Sequence, residues 1–461
     1  MDYKITVIGA GPGGYTAAIR AAHLGAKVCL IEKADLGGVC LNRGCIPTKT
    51  LLKSAQKWQE LQHCADYGLS ADNLSFDFAK VSARKQTVIK QLRDGVAQLI
   101  KSNKIDLKIG TAKLIDAHTI DINGEQIHSE YIIIASGSRA ATPPIPGTDL
   151  SGVLTSDSLL ELDKEPSSML IIGAGVVGVE FAGIFAAFGT AVTLVEMAPT
   201  ILPGTDADIP KRLGPALRKQ GIKTIPSAKV LSIEQTDSGL CVTVESKGKT
   251  EQITVEKVLV ASGRIPVLHE LGLDNAAIEH TKHGITVNEH LQTNIPHIYA
   301  IGDITNKLML AHVASTQAMV AAEHIMGISS AMDYAVVPSC IFTTPEIAGV
   351  GLTEQQAAAQ NIAVKISKFN FAGNGKAISM GETDGLVKII ADANTHRVLG
   401  MHIIGAHASD LIMEGALAIK QGLTAEQLAH TIHPHPTLSE VILEAAHGIF
   451  GDIIHQVKMV R

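Results

Sequence analysis

The chain has 461 residues, more than one hydrophobic core organises, so several domains are expected. Its 39 Lys and Arg against 45 Asp and Glu give a formal net charge of −6, and no long basic block occurs, which argues against nucleic acid or an anionic membrane surface as partners. No run of about 18 uncharged apolar residues is present to cross a membrane, and six cysteines in so long a chain do not make a disulfide framework.

The N-terminus, MDYKITVIGAG, runs directly into a strand with no charged leader, so a soluble, cytoplasmic protein is expected. The strand Lys4 to Gly9 leads into Gly9, Gly11 and Gly14, a small-residue helix through Leu24, and a second strand, Lys27 to Ile31, that ends at Glu32. A glycine triplet alone is a weak signal. In strand, turn, helix and strand context, with an acid after the second strand, it is a dinucleotide fingerprint: the helix amides take a pyrophosphate and the carboxylate takes ribose hydroxyls.

Next comes GGVCLNRGCIPTK, with Cys40 and Cys45 five positions apart. Two cysteines at this spacing in a straight helix stand roughly 7.5 Å apart on different faces, so a bridge between them needs an irregular first turn. Gly37, Gly38 and Gly44 supply backbone freedom, and Pro47 suits a helix opening, with a helix expected from Thr48 to Leu61. The positive end of that helix would favour a Cys45 thiolate. A redox disulfide, a metal half-site and two inert thiols are the readings open to this pair; no second Cys or His pair lies nearby at zinc spacing, so no metal is expected. Cys29, Cys64, Cys241 and Cys340 read as small buried residues. A long amphipathic helix is expected from about Phe76 to Ser102.

The nucleotide-binding unit then recurs. Gly173, Gly175, Gly178 and Glu196 each lie 164 residues after Gly9, Gly11, Gly14 and Glu32. Both copies close alike, with a β-ribbon expected before YIIIASG (Tyr131 to Gly137) and before KVLVASG (Lys257 to Gly263). Two such sites imply two dinucleotides. After Glu196 come Met197, Ala198, Pro199 and Thr200, with no Arg to receive a 2′-phosphate, so NAD is favoured over NADP.

Near the C-terminus, His433-Pro434-His435-Pro436-Thr437-Leu438-Ser439-Glu440 opens an apolar helix. Thr437 and Glu440 read as a capping box, a sufficient structural reason for Glu440. The same carboxylate is placed to reach back to His435 and hold one imidazole tautomer, leaving the other nitrogen as a base.

Over essentially its whole length the chain resembles the flavin-dependent pyridine nucleotide-disulfide oxidoreductases. The resemblance rests on the cysteine loop, the two glycine fingerprints, TNIPHIYAIGDIT (Thr293 to Thr305), LMLAHVAS (Leu308 to Ser315), VPSCIFTTPEIAGVGLTE (Val337 to Glu354) and HPHPTLSE (His433 to Glu440). It implies an α/β fold with two Rossmann-like dinucleotide-binding domains, for FAD and NAD, plus a C-terminal α+β dimerisation domain. The implied boundaries are 1–144 (FAD), 145–263 (NAD), 264–336 (a central segment completing the FAD site) and 337–461 (interface). For FAD it assigns Gly9, Gly11, Gly14, Glu32, Lys49, Ala112, Ser136, Gly137, Ser138, Asp303 and Ala311. For NAD it assigns Gly173, Gly175, Val177, Gly178, Glu196, Val230 and Ala261 to Gly263.

The resemblance also implies the chemistry. Cys40 is the interchange thiol and Cys45 the thiol that faces the flavin; Lys49 pairs with Glu180; and His435, oriented by Glu440, acts on the cysteines of the other protomer of a homodimer. The implied substrate is a dithiol on a lipoyl-bearing carrier protein of a 2-oxoacid dehydrogenase or glycine cleavage complex. Glutathione-type reductases are disfavoured by Glu196, and mercuric reductases by the lack of vicinal cysteines in GDIIHQVKMVR. A flavoprotein serving mainly as a docking subunit of a multienzyme assembly is the reading from another class. Three positions depart from the family pattern: Arg43, Ser136 and Val267. If Arg43 points inward, its charge favours the Cys45 thiolate.

Overall fold

The computed structural model describes residues 1–457. The chain forms two compact units: one takes 1–144, 154–164 and 260–333, the other 145–153, 165–259 and 334–461.

At the centre of the first unit lies the strand Tyr3–Ile8, parallel to Val28–Glu32 on one side and Glu125–Ile134 on the other, with Ile5 opposite both Val28 and Tyr131. Asp106–Ile109 and the late strand Ile298–Ala300 extend the sheet at either side, so the segment after residue 264 contributes directly to this core. These strands read as near-continuous apolar runs because both faces of a parallel sheet are covered; Ile5, Val7, Leu30, Ile132, Ile133 and Ile134 have no exposed surface. The helices Pro12–His23 and Ala311–Ile325 pack together through small residues, among them Ala17, Ala18, Ala21, Ala318 and Ala321, all fully buried. The expected ribbon is present, with Ala112–Leu114 and Thr119–Ile122 antiparallel ahead of Glu125–Ile134.

The long helix spans Phe78–Ser102, two residues later than expected, because Asp77 caps it by accepting a hydrogen bond from the Lys80 amide (3.1 Å). Its inner face carries Phe78, Ile89, Val96 and Ile100, and also Lys85, whose buried ammonium donates to the Leu160 carbonyl. Burial pulls the Lys85 pKa below its ordinary value.

The second unit repeats the motif. Lys223–Ile225, Ala191–Val195 and Ser168–Ile172 run parallel, and a three-stranded antiparallel ribbon, Ala228–Thr236, Gly239–Ser246 and Lys249–Val255, stands where the second ribbon is expected. The same unit holds a five-stranded antiparallel sheet in the order Ser339–Ile341, Ile347–Gly351, Val398–Ile404, Leu386–Asp392, Val364–Asn370. Helices Ala408–Gln421 and Glu440–Gly448 pack on it. No helix among the described residues is long and apolar enough to cross a membrane.

Nothing in the local pattern of LVKIIAD announces the fully buried Lys388 within this sheet. Its ammonium meets Asp206 at 2.9 and 3.0 Å, Asp208 at 2.8 Å and Glu354 at 2.5 Å, and Asp206 is itself fully buried. Burial opposes ionisation of Asp208, but Lys368 (2.7 Å) and Lys388 outweigh it and hold the carboxyl at about 2. Removing one partner of a buried ion pair strands the other charge, at a cost of about 3–5 kcal/mol. Lys388→Met is therefore expected to lower the free energy of urea unfolding by that amount at neutral pH. Because the Asp208 pKa is depressed by folding, its contribution is complete above the ordinary carboxylate range and fades as pH falls toward about 2. A loss under about 1 kcal/mol at neutral pH, the scale of a surface pair, would contradict this account.

Candidate active site

Both nucleotide turns are built the same way, down to individual hydrogen bonds. In the first, Glu32 Oε2 accepts from the Ala10 amide (2.7 Å) and Oε1 from the Ala34 amide (2.8 Å). In the second, Glu196 Oε2 accepts from Ala174 (2.7 Å) and Oε1 from Ala198 (2.8 Å). Each carboxylate thus staples a strand end to its glycine turn while keeping lone pairs for ribose hydroxyls. The third glycine of each triplet permits strand and helix to touch: a Cβ on Gly14 would lie 1.7 Å from the Gly9 carbonyl oxygen, and one on Gly178 1.9 Å from that of Gly173. The middle glycines look outward. Nothing lies within 4 Å of a Cβ built on Gly175, and on Gly11 only the Gly38 Cα, at 4.0 Å. Helices Pro12–His23 and Val176–Ala187 start from these glycines without side-chain caps, so their first amides are available to a pyrophosphate.

The other expected FAD contacts gather in the first unit. Asp303, in the turn Gly302–Thr305, accepts from the Ser138 hydroxyl at 2.5 Å, and Arg264 donates to that hydroxyl (2.7 Å) and to the Ser138 carbonyl (2.8 Å). Ser136 Oγ donates to the Val267 carbonyl (3.0 Å), and the Val267 amide donates to the Gly137 carbonyl (3.0 Å), so two of the unusual residues are neighbours. Ala311 opens the helix Ala311–Ile325, which leaves its amide without an intrahelical partner. Ala112 is buried at the start of its strand, two residues after Gly110, whose amide donates to the Glu32 carbonyl (2.9 Å).

On the NAD side, Val177 lies in the first turn of its helix, and Val230 is buried in a strand tied to Glu196 by the Ala228 amide (2.9 Å). Ala261 to Gly263 fall in the first unit rather than with Glu196. Lys49 likewise belongs to the first unit and Glu180 to the second, where the buried Glu180 carboxylate accepts from the Phe342 amide (2.9 Å).

In the C-terminal motif, His435 Nδ1 is hydrogen-bonded to Glu440 Oε1 (2.9 Å), while Glu440 Oε2 accepts from the Thr437 amide (2.8 Å). The carboxylate does both expected jobs at once. Only half of the capping box forms, however: the helix starts at Glu440, and Thr437 Oγ1 turns back to donate to the Pro434 carbonyl (2.7 Å). Burial raises the Glu440 pKa, but the Thr437 amide and His435 outweigh it and hold the carboxyl below its ordinary value. With Nδ1–H given to Glu440, Nε2 of His435 is the basic nitrogen, on a side chain 77% exposed. The neighbouring His433 differs: its side chain is 5% exposed and binds Glu414 through Nε2 (3.0 Å) and the Thr431 carbonyl through Nδ1 (2.8 Å).

The cysteine loop is pressed onto the first turn. Gly37 (φ +91°) donates its amide to the Ala10 carbonyl (2.9 Å), and a Cβ on Gly38 (φ +59°) would stand 2.6 Å from the Gly11 Cα. Asn42, which sequence reasoning missed, holds the loop closed by donating to the Leu36 and Gly38 carbonyls at 2.9 Å each. Cys40 sits in a short helix, Gly38–Arg43; Gly44 breaks it; and a second helix, Cys45–Gln62, starts three residues earlier than the expected Thr48. The break brings the Cys40 and Cys45 side chains together, hydrogen-bonded to each other. That bond and burial push the Cys40 thiol far above its ordinary pKa, with Lys49 acting in the opposite sense.

Arg43 does not point at the thiols. It faces Asp35 (3.8 Å), which Arg93 also holds (2.6 Å), along a polar cleft of about 490 Å³. The cation that acts on the thiol pair is Lys49, one helical turn beyond Cys45. Arg43→Val should leave the pH dependence of Cys40 alkylation unchanged, while Lys49→Met should move it upward by up to about one pH unit. Mass-spectrometric labelling of Cys40 across pH checks both, and an upward move in Arg43→Val would contradict the geometry.

Comparison with known proteins agrees with this architecture. The pyridine nucleotide-disulphide oxidoreductase model matches residues 3–318 and the family's dimerisation-domain model matches 337–446. The chain is 43% identical to a dihydrolipoyl dehydrogenase of Geobacillus stearothermophilus, over 99% of this chain and 98% of that protein. It is 42% identical to one of Bacillus subtilis (strain 168), over 98% and 99%. Among solved structures it is similar to the HOCl-induced flavoprotein disulfide reductase RclA from Escherichia coli, with a TM-score of 0.87 and 32% identity over 96% of this chain and 99% of that one. FAD and NAD are the family's cofactors, and the two stapled, uncapped turns fit two dinucleotides. With its paired thiols seated against the first of those turns, this chain belongs to the pyridine nucleotide-disulphide oxidoreductase family.

Proposed function

We propose that the protein is a dihydrolipoyl dehydrogenase, oxidising the dithiol of a carrier-bound dihydrolipoyl group to its disulfide and reducing NAD+. The observation that carries this reading is the Cys40 and Cys45 pair, joined at the Gly44 break and held against the first nucleotide turn. The name and full-length similarity of the curated relatives support the substrate. The second turn supports NAD over NADP, since Glu196 is followed by Met197 and Ala198 rather than by an arginine.

The working form is a homodimer joined through the 337–446 region, whose sheet and helices carry the family's dimerisation domain. Turnover begins from the Cys40–Cys45 disulfide. His435, contributed by the second copy of the chain, accepts a proton at Nε2 from a substrate thiol, because only a thiolate attacks a disulfide. The resulting thiolate bonds to Cys40 Sγ, the Cys40–Cys45 bond breaks, and Cys45 leaves as a thiolate. The substrate's second sulfur then bonds to the first while its proton passes to the departing sulfur, releasing Cys40 as a thiol together with the oxidised lipoyl ring. Glu440 holds the His435 tautomer and stabilises its imidazolium throughout. Lys49 offsets the negative charge accumulating at the pair. FAD, held by the first turn, Glu32, Ala112, Ser138, Asp303 and Ala311, supplies when bound the two-electron relay between the dithiol and NAD+.

Purified protein should be yellow and should reduce NAD+ with dihydrolipoamide much faster than it oxidises NADPH with oxidised glutathione; the reverse preference would replace this reading with a glutathione-type reductase. Cys45→Ser should abolish dihydrolipoamide turnover. His435→Gln should lower kcat by about 10²- to 10⁴-fold, the usual worth of a positioned base, and near-normal turnover in either variant would remove the proposed roles.

A further inference from the structure

The histidine two positions before the proposed base is bound in a way that fixes its charge. His433 Nδ1 meets the Thr431 carbonyl at 2.8 Å and Nε2 meets Glu414 Oε1 at 3.0 Å. Both partners are acceptors. A neutral imidazole owns a single N–H, so one of the two contacts would set lone pair against lone pair, whereas an imidazolium satisfies both. The ring is almost wholly buried, which normally disfavours charge, yet Glu414 dominates and raises the His433 pKa above its ordinary value. The charged and titratable groups near it are Glu414 on the helix Ala408–Gln421, Glu440 on the helix Glu440–Gly448, and His435 on its own turn.

The turn between Thr431 and Thr437 is pinned at three successive points. His433 ties it to Glu414, His435 ties it to Glu440, and Thr437 Oγ1 closes on the Pro434 carbonyl. Pro434 and Pro436 flank His435 and restrict its backbone further. Freeing the first point would let the exposed His435 ring swing away from the carboxylate that sets its tautomer.

We propose that His433 is a positioning residue for proton transfer: a buried imidazolium, clamped between the Thr431 carbonyl and the Glu414 carboxylate, fixes the turn that aims His435 Nδ1 at Glu440. The inference rests on the dihydrolipoyl dehydrogenase reading for its kinetic consequence, but not for the charge state of the ring. The positive charge favours the Glu440 carboxylate. Because the His433 pKa is raised, the clamp is complete below the ordinary imidazole range and loosens as pH rises through the raised value.

The test uses full-length, flavin-loaded protein carrying His433→Gln or Glu414→Gln. His433→Gln should lower kcat with dihydrolipoamide about tenfold or more while KM stays within about twofold and NADH oxidation by ferricyanide, which needs no histidine base, is retained. The acid limb of its pH profile should move up, because a cation on the same turn is gone. Glu414→Gln should lower kcat with a smaller move of that limb, since His433 then loses its proton too. Unchanged kcat and pH limb in both variants, or an equal loss of ferricyanide activity, would overturn the positioning role. Histidine-ring NMR, with His433 assigned by its absence in His433→Gln, should show a ring that stays doubly protonated above the ordinary imidazole range. A ring that loses its proton near 6.5 would overturn the clamp whatever the substrate proves to be.

Discussion

The active site depends on a contact made possible by missing atoms. Gly38 lies so close to Gly11 that no side chain fits between them, and the Gly37 amide donates to the Ala10 carbonyl in the same place. This is where a local sequence pattern becomes chemistry. The cysteines are 26 and 31 positions beyond Gly14, yet their loop rests directly on the nucleotide turn. Once that contact exists, the short helix, the break at Gly44 and the meeting of Cys40 with Cys45 follow from backbone geometry. The Cys45–Gln62 helix then brings Lys49 round one turn to act on the pair.

Much of this was legible because its signals are local. The glycine triplets, the acid after the second strand and the repeat at a constant offset are short patterns with one physical reading each, and the two turns prove alike to within their hydrogen-bond lengths. His435 and Glu440 lie five residues apart, so their pairing also follows from nearby geometry. What escaped reading depends on partners distant in the chain. Glu414 gives His433 its charge from 19 positions away. Lys388 looks like an outward-facing residue of an alternating strand until Asp206, Asp208 and Glu354 close over it. Arg264 supports Asp303 through Ser138 across more than a hundred residues of sequence.

The mistaken expectations share a cause as well. Arg43 stands two positions from Cys45 along the chain, but its guanidinium faces Asp35, beside Arg93. The helix after the cysteines was expected from Thr48 on the strength of Pro47, although the first turn of a helix tolerates proline at more than its opening position; the bond from the Thr48 amide to the Gly44 carbonyl (3.2 Å) shows that turn already formed. The capping box forms in one direction only because the Thr437 hydroxyl is held back at the Pro434 carbonyl, away from the first turn of the helix. In each case the correct residue types were present, and a competing partner decided which way they turned.

The paired carboxylate staples carry an evolutionary implication. In the function proposed above, Glu196 would select its dinucleotide with the same two oxygens that fasten Ala174 and Ala198. Exchanging it for a small or basic residue to admit a 2′-phosphate also releases both amides, so a change of coenzyme preference is coupled to a loosening of the turn that must bind it. A lineage switching from one coenzyme to the other would need a second substitution to refasten that loop, which makes the acidic residue a historical ratchet as much as a recognition group.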